Sequence, residues 1–529
     1  AAETKELIAA HPDRAYLLFP EDRARAIRMT GDLPLCWIRK GPGEEFRGTA
    51  RPGEFYVFQV GVFAARAKLE DLRAEVGDLK SPDGKTIAAD RVHAFNLGGT
   101  DWLGRPLTKT VSIEQGRVAA LWFGVPIPKE AAAGYKGTIT LRPKNGQPTT
   151  VNVSLTVSGE VLPDGGSGDL WRLARLEWLD STTGLDDEVV APYTPLVVEG
   201  TTVKCLGRSV SFGAVGLPRG IEAGRRQILA APVAIVAETD AGPVAWSGGK
   251  PALEQVGPGA VVCRSQSPGG PLAMATETRM EFDGHLAVRA TLTAGQDVDL
   301  KDIRLEIPLV RDVASYMMGF ARKGGLRPKQ PWKWSWDIGQ ANNMVWLGDV
   351  EGGLQCKLKG PKETWDIADL RAGGLPDSWH NQGRGGAVVA AEGEAVVVRA
   401  FSGPRKLAAG QSLEFRFSLL VTPLKPLDAA HWKWRYYHYY APVVPVEKIA
   451  PTGANIINCH QGNTLNPYIN YPFLTADKFA AYVREAHAKG LKVKTYYTVR
   501  ELSNYTAEIW ALRSLGEEVF LGGGGGGHS

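Results

Sequence analysis

The chain has 529 residues, room for about three domains at the usual ~150 residues each. Its 61 Lys and Arg stand against 57 Asp and Glu, a formal net charge of +4. This near balance gives no basic face for nucleic acid, and no run of about 18 apolar residues suggests a membrane span. A small or neutral partner is expected.

The chain opens AAETK, with no initiator Met and no hydrophobic h-region. This resembles a mature end after signal removal at a small-residue site, although expression cloning leaves the same trace. The expected location is secreted, periplasmic or cell-surface. Residues 1–162 read as an N-terminal β-sandwich. The runs EFYVFQVGVFA, RVAALWFGVPIP, YKGTITLRP and TTVNVSLTVSG are rich in β-branched and aromatic residues and are divided by turn signals such as SPDGK and KNGQP. The Gly-Ser-rich PDGGSGD that follows reads as a linker.

Residues 169–425 are again β-rich, with strands expected in APVAIVAET, HLAVRATLTA, IRLEIPLV, AVVVRAF and SLEFRFSLLVTP. The size suits a large supersandwich better than one immunoglobulin-like unit. Trp332, Trp334 and Trp336 alternate, so they face one side of a strand and form either an aromatic platform or part of a buried interface. Residues 426–450, aromatic and flanked by prolines, read as a connector. The five cysteines (Cys36, Cys205, Cys263, Cys356 and Cys459) are far apart and odd in number, as isolated buried thiols would be.

From 451 to 529 the period changes. ANIINCH reads as a strand, and LTADKFAAYVREAHAKG as a helix with Thr475 at its N-cap and Gly490 just past its end. In that helix Phe479, Tyr482, Val483 and Ala486 keep the i, i+3, i+4, i+7 spacing. LKVKTYYTVRE reads as a second strand, TAEIWALRSLG as a second helix and EVF as a third strand with an open edge. The alternation implies a parallel sheet. A complete (β/α)8 barrel takes about 250 residues, so these units are read as the start of a TIM-type barrel. The fold class is therefore multidomain and mostly β, ending in an incomplete barrel.

Working groups of such barrels sit at the C-terminal ends of strands. That rule selects His460, Asn463, Tyr468 and Asn470 after the first strand, and Tyr496, Arg500 and Glu501 after the second. Amides, a histidine, a carboxylate and tyrosines suit a neutral polyol, whose hydroxyls want paired donors and acceptors and whose C–H faces stack on rings. The same residues could instead cap helices or fill the barrel mouth, and Glu501 beside Arg500 could be a structural ion pair. Trp379 and His380 are candidates to overhang the pocket from the β region. The run GGGGGGHS lacks the Lys-Ser/Thr of a phosphate loop and reads as a lid, with His528 reaching the pocket. No metal cluster or cofactor motif is present, and none is expected.

The order GEFYVFQVGVFA, LPDGGSGDLWRLARLEWLDSTTGLDDE, VWLGDVEGGLQCKL and YYTVRELSNY…GGGGGGHS resembles bacterial glycoside hydrolase domain-containing proteins distantly similar to glycoside hydrolase family 123. The resemblance implies carbohydrate-active hydrolysis, with a sandwich and a large β domain before a TIM-type barrel that continues past the glycine run. It also implies catalytic acids on later strands, beyond Ser529. Family 123 resembles N-acetylgalactosaminidases that use an adjacent Asp-Glu pair, and no such pair stands in the barrel stretch. The expected function is thus the N-terminal part of a glycoside hydrolase. Its partners would be a glycan substrate and a C-terminal barrel fragment as a second chain. The competing expectation is a non-catalytic carbohydrate-binding or structural surface protein.

Overall fold

A computed structural model describes residues 2–101, 103–131, 133–339, 342–360, 374–498 and 501–520. The chain divides into two compact units, residues 1–185 with 432–529, and residues 186–431.

In the first unit two sheets make the sandwich. The four-stranded sheet runs Leu17–Asp22, Phe55–Phe63, Val118–Pro126, His93–Ala94; its antiparallel register pairs Phe58 with Phe123. The second sheet is built on Leu69–Val76, Tyr135–Arg142 and Thr149–Val157, and Glu45–Ala50 adds to it in parallel. Alternate side chains of both sheets meet in one core: Phe58, Val60, Leu121 and Phe123 face Leu72, Ile139, Leu141 and Val153.

The other face of the four-stranded sheet is also covered. Phe55, Val57 and Trp122 pack there under Trp37, Leu173 and Leu176, and under Ala511 from the far end of the chain. The PDGGSGD segment is not a free linker. Asp164 accepts the N–H groups of Gly166 (3.0 Å) and Gly168 (2.8 Å), and the Gly165 carbonyl accepts the N–H of Phe55.

The barrel portion contributes a three-stranded parallel sheet in the order Tyr436–Tyr439, Ile456–Cys459, Lys492–Thr495. Its first strand lies inside the segment read as a connector. The helix Ala476–Ala488 buries Phe479, Tyr482 and Ala486 as its spacing predicts, and Gly490 takes the left-handed φ of 73° that ends it. Thr475 makes no N-cap bond; its hydroxyl donates to the Leu465 carbonyl at 2.7 Å. The second expected helix is short, Ile509–Ser514, and it lies on the sandwich sheet. EVF forms no strand: Gly516–Glu518 is a 3-10 turn whose Glu518 pairs with Lys109 at 2.7 Å. Apolar content attracted the expectation of a strand there, but no neighbouring strand receives its backbone.

The second unit is antiparallel throughout. A nine-stranded sheet (among its strands Ala260–Gly269, Leu272–Glu281, His285–Ala294 and Ser412–Thr422) and a six-stranded sheet (including Ala234–Thr239, Asp302–Val310 and Ala395–Phe401) share one apolar core with a five-stranded sheet. The tryptophans of Trp332–Ser335 serve that core. Trp334 is buried and stacks on Phe320 at 4.7 Å, Trp336 meets it edge-on, and the Trp332 indole donates to the Phe320 carbonyl. No open aromatic platform results.

Of the five thiols, four are buried and Cys36 is exposed; none is joined in a disulfide.

Candidate functional site

Strand periodicity gives the parallel sheet two unlike faces. Tyr437, Tyr439, Ile457, Cys459 and Val493 point to the helix side and join Val446, Ile449, Phe479 and Tyr482 in an apolar core. On this side Tyr439 donates its hydroxyl to the Cys459 sulfur at 3.2 Å. Burial raises the pKa of both groups, so the thiol stays protonated and offers no thiolate nucleophile.

The opposite face carries polar and aromatic rows fixed by register. His438, Asn458 and Lys494 are paired across the three strands, below Tyr440, His460 and Tyr496 at the strand ends. His438, Tyr440 and Lys494 are exposed. In a (β/α)8 barrel this face is the interior, and the strand ends form the mouth.

The geometry at the strand ends is specific. The His460 ring stacks on Tyr496 at 4.1 Å between centroids, meets His438 edge-on at 5.4 Å, and lies 5.1 Å from the Tyr440 ring. His460 Nδ1 is 3.1 Å from the Gln461 carbonyl, which only accepts, so Nδ1 carries the proton and Nε2 is left as an acceptor. Asn458 donates its amide to His438 Nδ1 at 2.6 Å, which puts the His438 proton on Nε2 as a donor. The Asn458 side-chain oxygen is buried without a partner, as are the Gln461 side-chain oxygen, both polar side-chain atoms of Asn466 and the Thr506 hydroxyl. Unmet buried polar atoms are rare in folded proteins; one of these five is on the strand Ile456–Cys459 and the other four lie along the loops that follow the strands.

The structure brings together His460 and Tyr496 from the expected set. Asn463 lies beneath them, 7% exposed, with its amide on the carbonyls of Tyr440 (2.9 Å) and His460 (2.8 Å) and its oxygen on the N–H groups of Leu465 and Asn466. It holds its own loop and has no donor left for a ligand. Asn470, at a left-handed φ of 53°, works in the same way: it donates to the carbonyls of Thr498 and Glu501 and accepts the Thr498 N–H. Tyr468 stacks on Tyr505 at 4.0 Å, and Tyr497 is largely exposed. Glu501 is exposed, and Arg500 lies outside the described residues, as does His528 with the glycine run.

Trp379 and His380 belong to the other unit. Trp379 is 1% exposed, packs edge-on against Phe415 and donates to the Arg416 carbonyl, so it presents no face to a sugar. The sequence makes it a candidate to overhang the pocket; the apolar core claims it instead.

Sequence reasoning missed His438, Tyr440, Asn458 and Lys494 as a set. The signal was the alternation Tyr436, His438, Tyr440, a period of two hidden in a stretch dominated by aromatics and closed by Pro442. It also missed Glu508. This carboxylate receives a two-pronged ion pair from Arg175 (2.9 and 3.1 Å), buried on both sides. Arg175 also donates to the Tyr471 hydroxyl at 2.8 Å and lies 4.2 Å over the Phe473 ring. With every Glu508 oxygen taken, the pair ties the barrel portion to the sandwich and offers no free carboxylate. Among the described residues no group of three or more His, Cys, Asp or Glu could hold a metal, and no helix is long and apolar enough to cross a membrane.

Residues 196–423 match the family model described as glycoside hydrolase 123, third domain, and residues 428–529 match glycoside hydrolase 123, TIM-barrel domain. The two adjacent matches cover more than half the chain. Among solved structures, the chain is similar to a family 123 glycoside hydrolase from Clostridium perfringens described for glycolipid glycan hydrolysis, at 16% identity and a TM-score of 0.24, over 28% of this chain and 28% of that one. A galactose mutarotase related enzyme from Lactobacillus acidophilus matches at 5% identity and a TM-score of 0.26, over 44% of this chain and 98% of that one. A heparan sulfate lyase from Pedobacter heparinus matches at 10% identity and 0.22, over 42% and 33%. Structural likenesses at these scores carry no argument; the family matches do. No curated protein matches the chain.

Proposed function

Because the chain belongs to the glycoside hydrolase 123-like proteins, we propose that it is the N-terminal part of a carbohydrate-active glycoside hydrolase, with one wall of the sugar pocket on the open face of the parallel sheet. The stacked row Tyr440, His460, Tyr496 at the strand ends carries this reading. Its rings offer flat apolar surface to sugar C–H faces. Directly below, the exposed His438 offers its Nε2–H as a donor for hydroxyls, and Lys494 adds a charge-assisted donor.

Bond cleavage is assigned to a carboxylate pair on further strands of the barrel. One acid would protonate the leaving oxygen, and the other carboxylate would attack or activate water. In this proposal the 529 residues bind and position the glycan without turning it over, in an exported protein.

The test is equilibrium binding of a panel of neutral oligosaccharides to the full chain and its His460→Ala variant, with aryl-glycoside turnover followed in parallel. Binding that weakens about tenfold or more in the variant, with unfolding curves unchanged, supports the pocket. Equal binding by the two proteins refutes it, and turnover by the 529-residue chain alone refutes the assignment of the chemistry to a separate portion.

A further inference from the structure

The unit of residues 186–431 carries a cleft of about 500 Å³. Four cations, Lys301, Arg384, Arg405 and Lys406, and two carboxylates, Asp240 and Asp299, line it. The carboxylates are taken by the lysines: Lys301 lies 3.1 Å from Asp240, and Lys406 lies 3.1 Å from Asp299. The two arginines are left with neutral acceptors. Arg405 donates to the Ser378 carbonyl at 2.7 Å, and its Nε is buried with no partner. Arg384, which is exposed, donates only to the side-chain oxygens of Asn381 (3.3 Å) and Gln382 (3.1 Å).

Among the described residues no carboxylate forms an ion pair with either arginine. Asp302 accepts the N–H groups of Ser402 and Gly403 at 3.2 and 2.8 Å, and neither it nor Asp377 forms an ion pair with either arginine. Burial and then the charge of Arg384 hold Arg405 below its ordinary pKa. Two like charges therefore share a partly desolvated wall, next to an orphaned N–H, with no ion-paired carboxylate among the described residues. The charges of Asp302 and Asp377 act on Arg405 only without such a pair.

We propose that this cleft binds an acidic saccharide, a glycan unit bearing a carboxylate or sulfate ester, with Arg384 and Arg405 clamping the acid group. The planar guanidinium fork matches the paired oxygens of both groups. The volume lies within the range of small-molecule sites and leaves room for a sugar ring behind the anion. The choice of a saccharide rests on the carbohydrate reading above; the anion clamp itself does not.

The experiment is calorimetric titration of the full chain with four probes: a uronate-containing disaccharide, a sulfated disaccharide, a neutral disaccharide and inorganic sulfate. At least one acidic disaccharide is expected to bind about tenfold more tightly than the neutral one, and its affinity is expected to fall as salt is raised. Arg384→Gln removes an exposed group and should keep the fold, as a thermal melt checks, while weakening the acidic ligand about tenfold. Arg405→Lys keeps the charge, loses the fork and should also weaken it.

Equal affinity for acidic and neutral disaccharides, or no effect of Arg384→Gln, overturns the proposal. Inorganic sulfate bound as tightly as the disaccharides would mark a plain anion site and overturn the saccharide. Absence of binding by every probe overturns it as well. His460→Ala separates this site from the barrel pocket: acidic-ligand binding that survives the variant supports the cleft, and binding lost with it moves the ligand to the strand ends and overturns the cleft. Absence of neutral-glycan binding to the unaltered chain, with the acidic ligand still held, would remove the barrel pocket and leave the cleft standing.

Discussion

Two sheets of the first unit treat their faces differently. In the sandwich, all nine residues of Phe55–Phe63 are buried, because one face meets the second sheet and the other is roofed by short helices and Ala511. In the three-stranded parallel sheet only the helix side is covered, and the other side carries exposed His438, Tyr440 and Lys494. Doubly buried strands are almost entirely apolar, and the one large polar side chain among them, Gln59, is fully hydrogen-bonded to the backbone of Asp22, Arg25 and Ile27. The parallel sheet tolerates unmet polar atoms on its open side. The contrast separates residues selected for packing from residues available for a ligand.

The sharpest way to break this comparison is to truncate both kinds of residue. Phe58, fully buried and stacked on Phe46 at 4.3 Å, is expected to cost about 4 kcal/mol when changed to Ala. A denaturant curve shifted by less than ~1 kcal/mol would mean the sandwich core relaxes around the cavity.

Next in size is the ion pair that fastens the barrel portion to the sandwich. Glu508→Ala leaves Arg175 buried and uncompensated, and a loss of about 3 kcal/mol is expected from urea unfolding. The double variant Arg175→Met with Glu508→Met should recover most of it, because an apolar pair of similar size needs no desolvation.

On the open face the ordering reverses. Tyr496→Ala should change stability by less than ~1 kcal/mol, while glycan affinity falls about tenfold through the lost stacking surface. A stability loss as large as that of Phe58→Ala would show that this row is packing after all.

The smallest effect is chemical. A thiol reagent at pH 8 should label Cys36 quickly in the native protein and the other four only after denaturation. Burial pushes the Cys263 thiol up to about 11 and raises those of Cys205 and Cys459, which keeps them in the unreactive protonated form. Rapid native labelling of more than one thiol would mean that one of these cores opens.

Much of the fold could be read directly where local pattern and burial agree. The four long sandwich strands, the helix Ala476–Ala488 with its Gly490 terminus, and the strand Ile456–Cys459 all follow from period and caps. The errors share a cause. Tyr436–Tyr439 is four residues long and was masked by its aromatic composition, EVF was apolar without a partner strand, and PDGGSGD was called flexible on composition although Asp164 folds it into a turn. Of the candidate site, His460 and Tyr496 were selected by the strand-end rule, whereas the saturation of Asn463 and Asn470 by their own loops depends on backbone groups far along the chain.

The sequence by itself determined the β-rich body, the switch to alternating strands and helices in the last region though not its start at Tyr436, and the polar character of the strand ends, because these are properties of local periodicity. Only the tertiary structure decided that Trp379 belongs to a core, that His438, Asn458 and Lys494 form one row, that Glu508 is paired with Arg175, and that two arginines face a cleft with no ion-paired carboxylate among the described residues. Each of these depends on which groups meet across tens or hundreds of residues, and on whether water or protein then satisfies them.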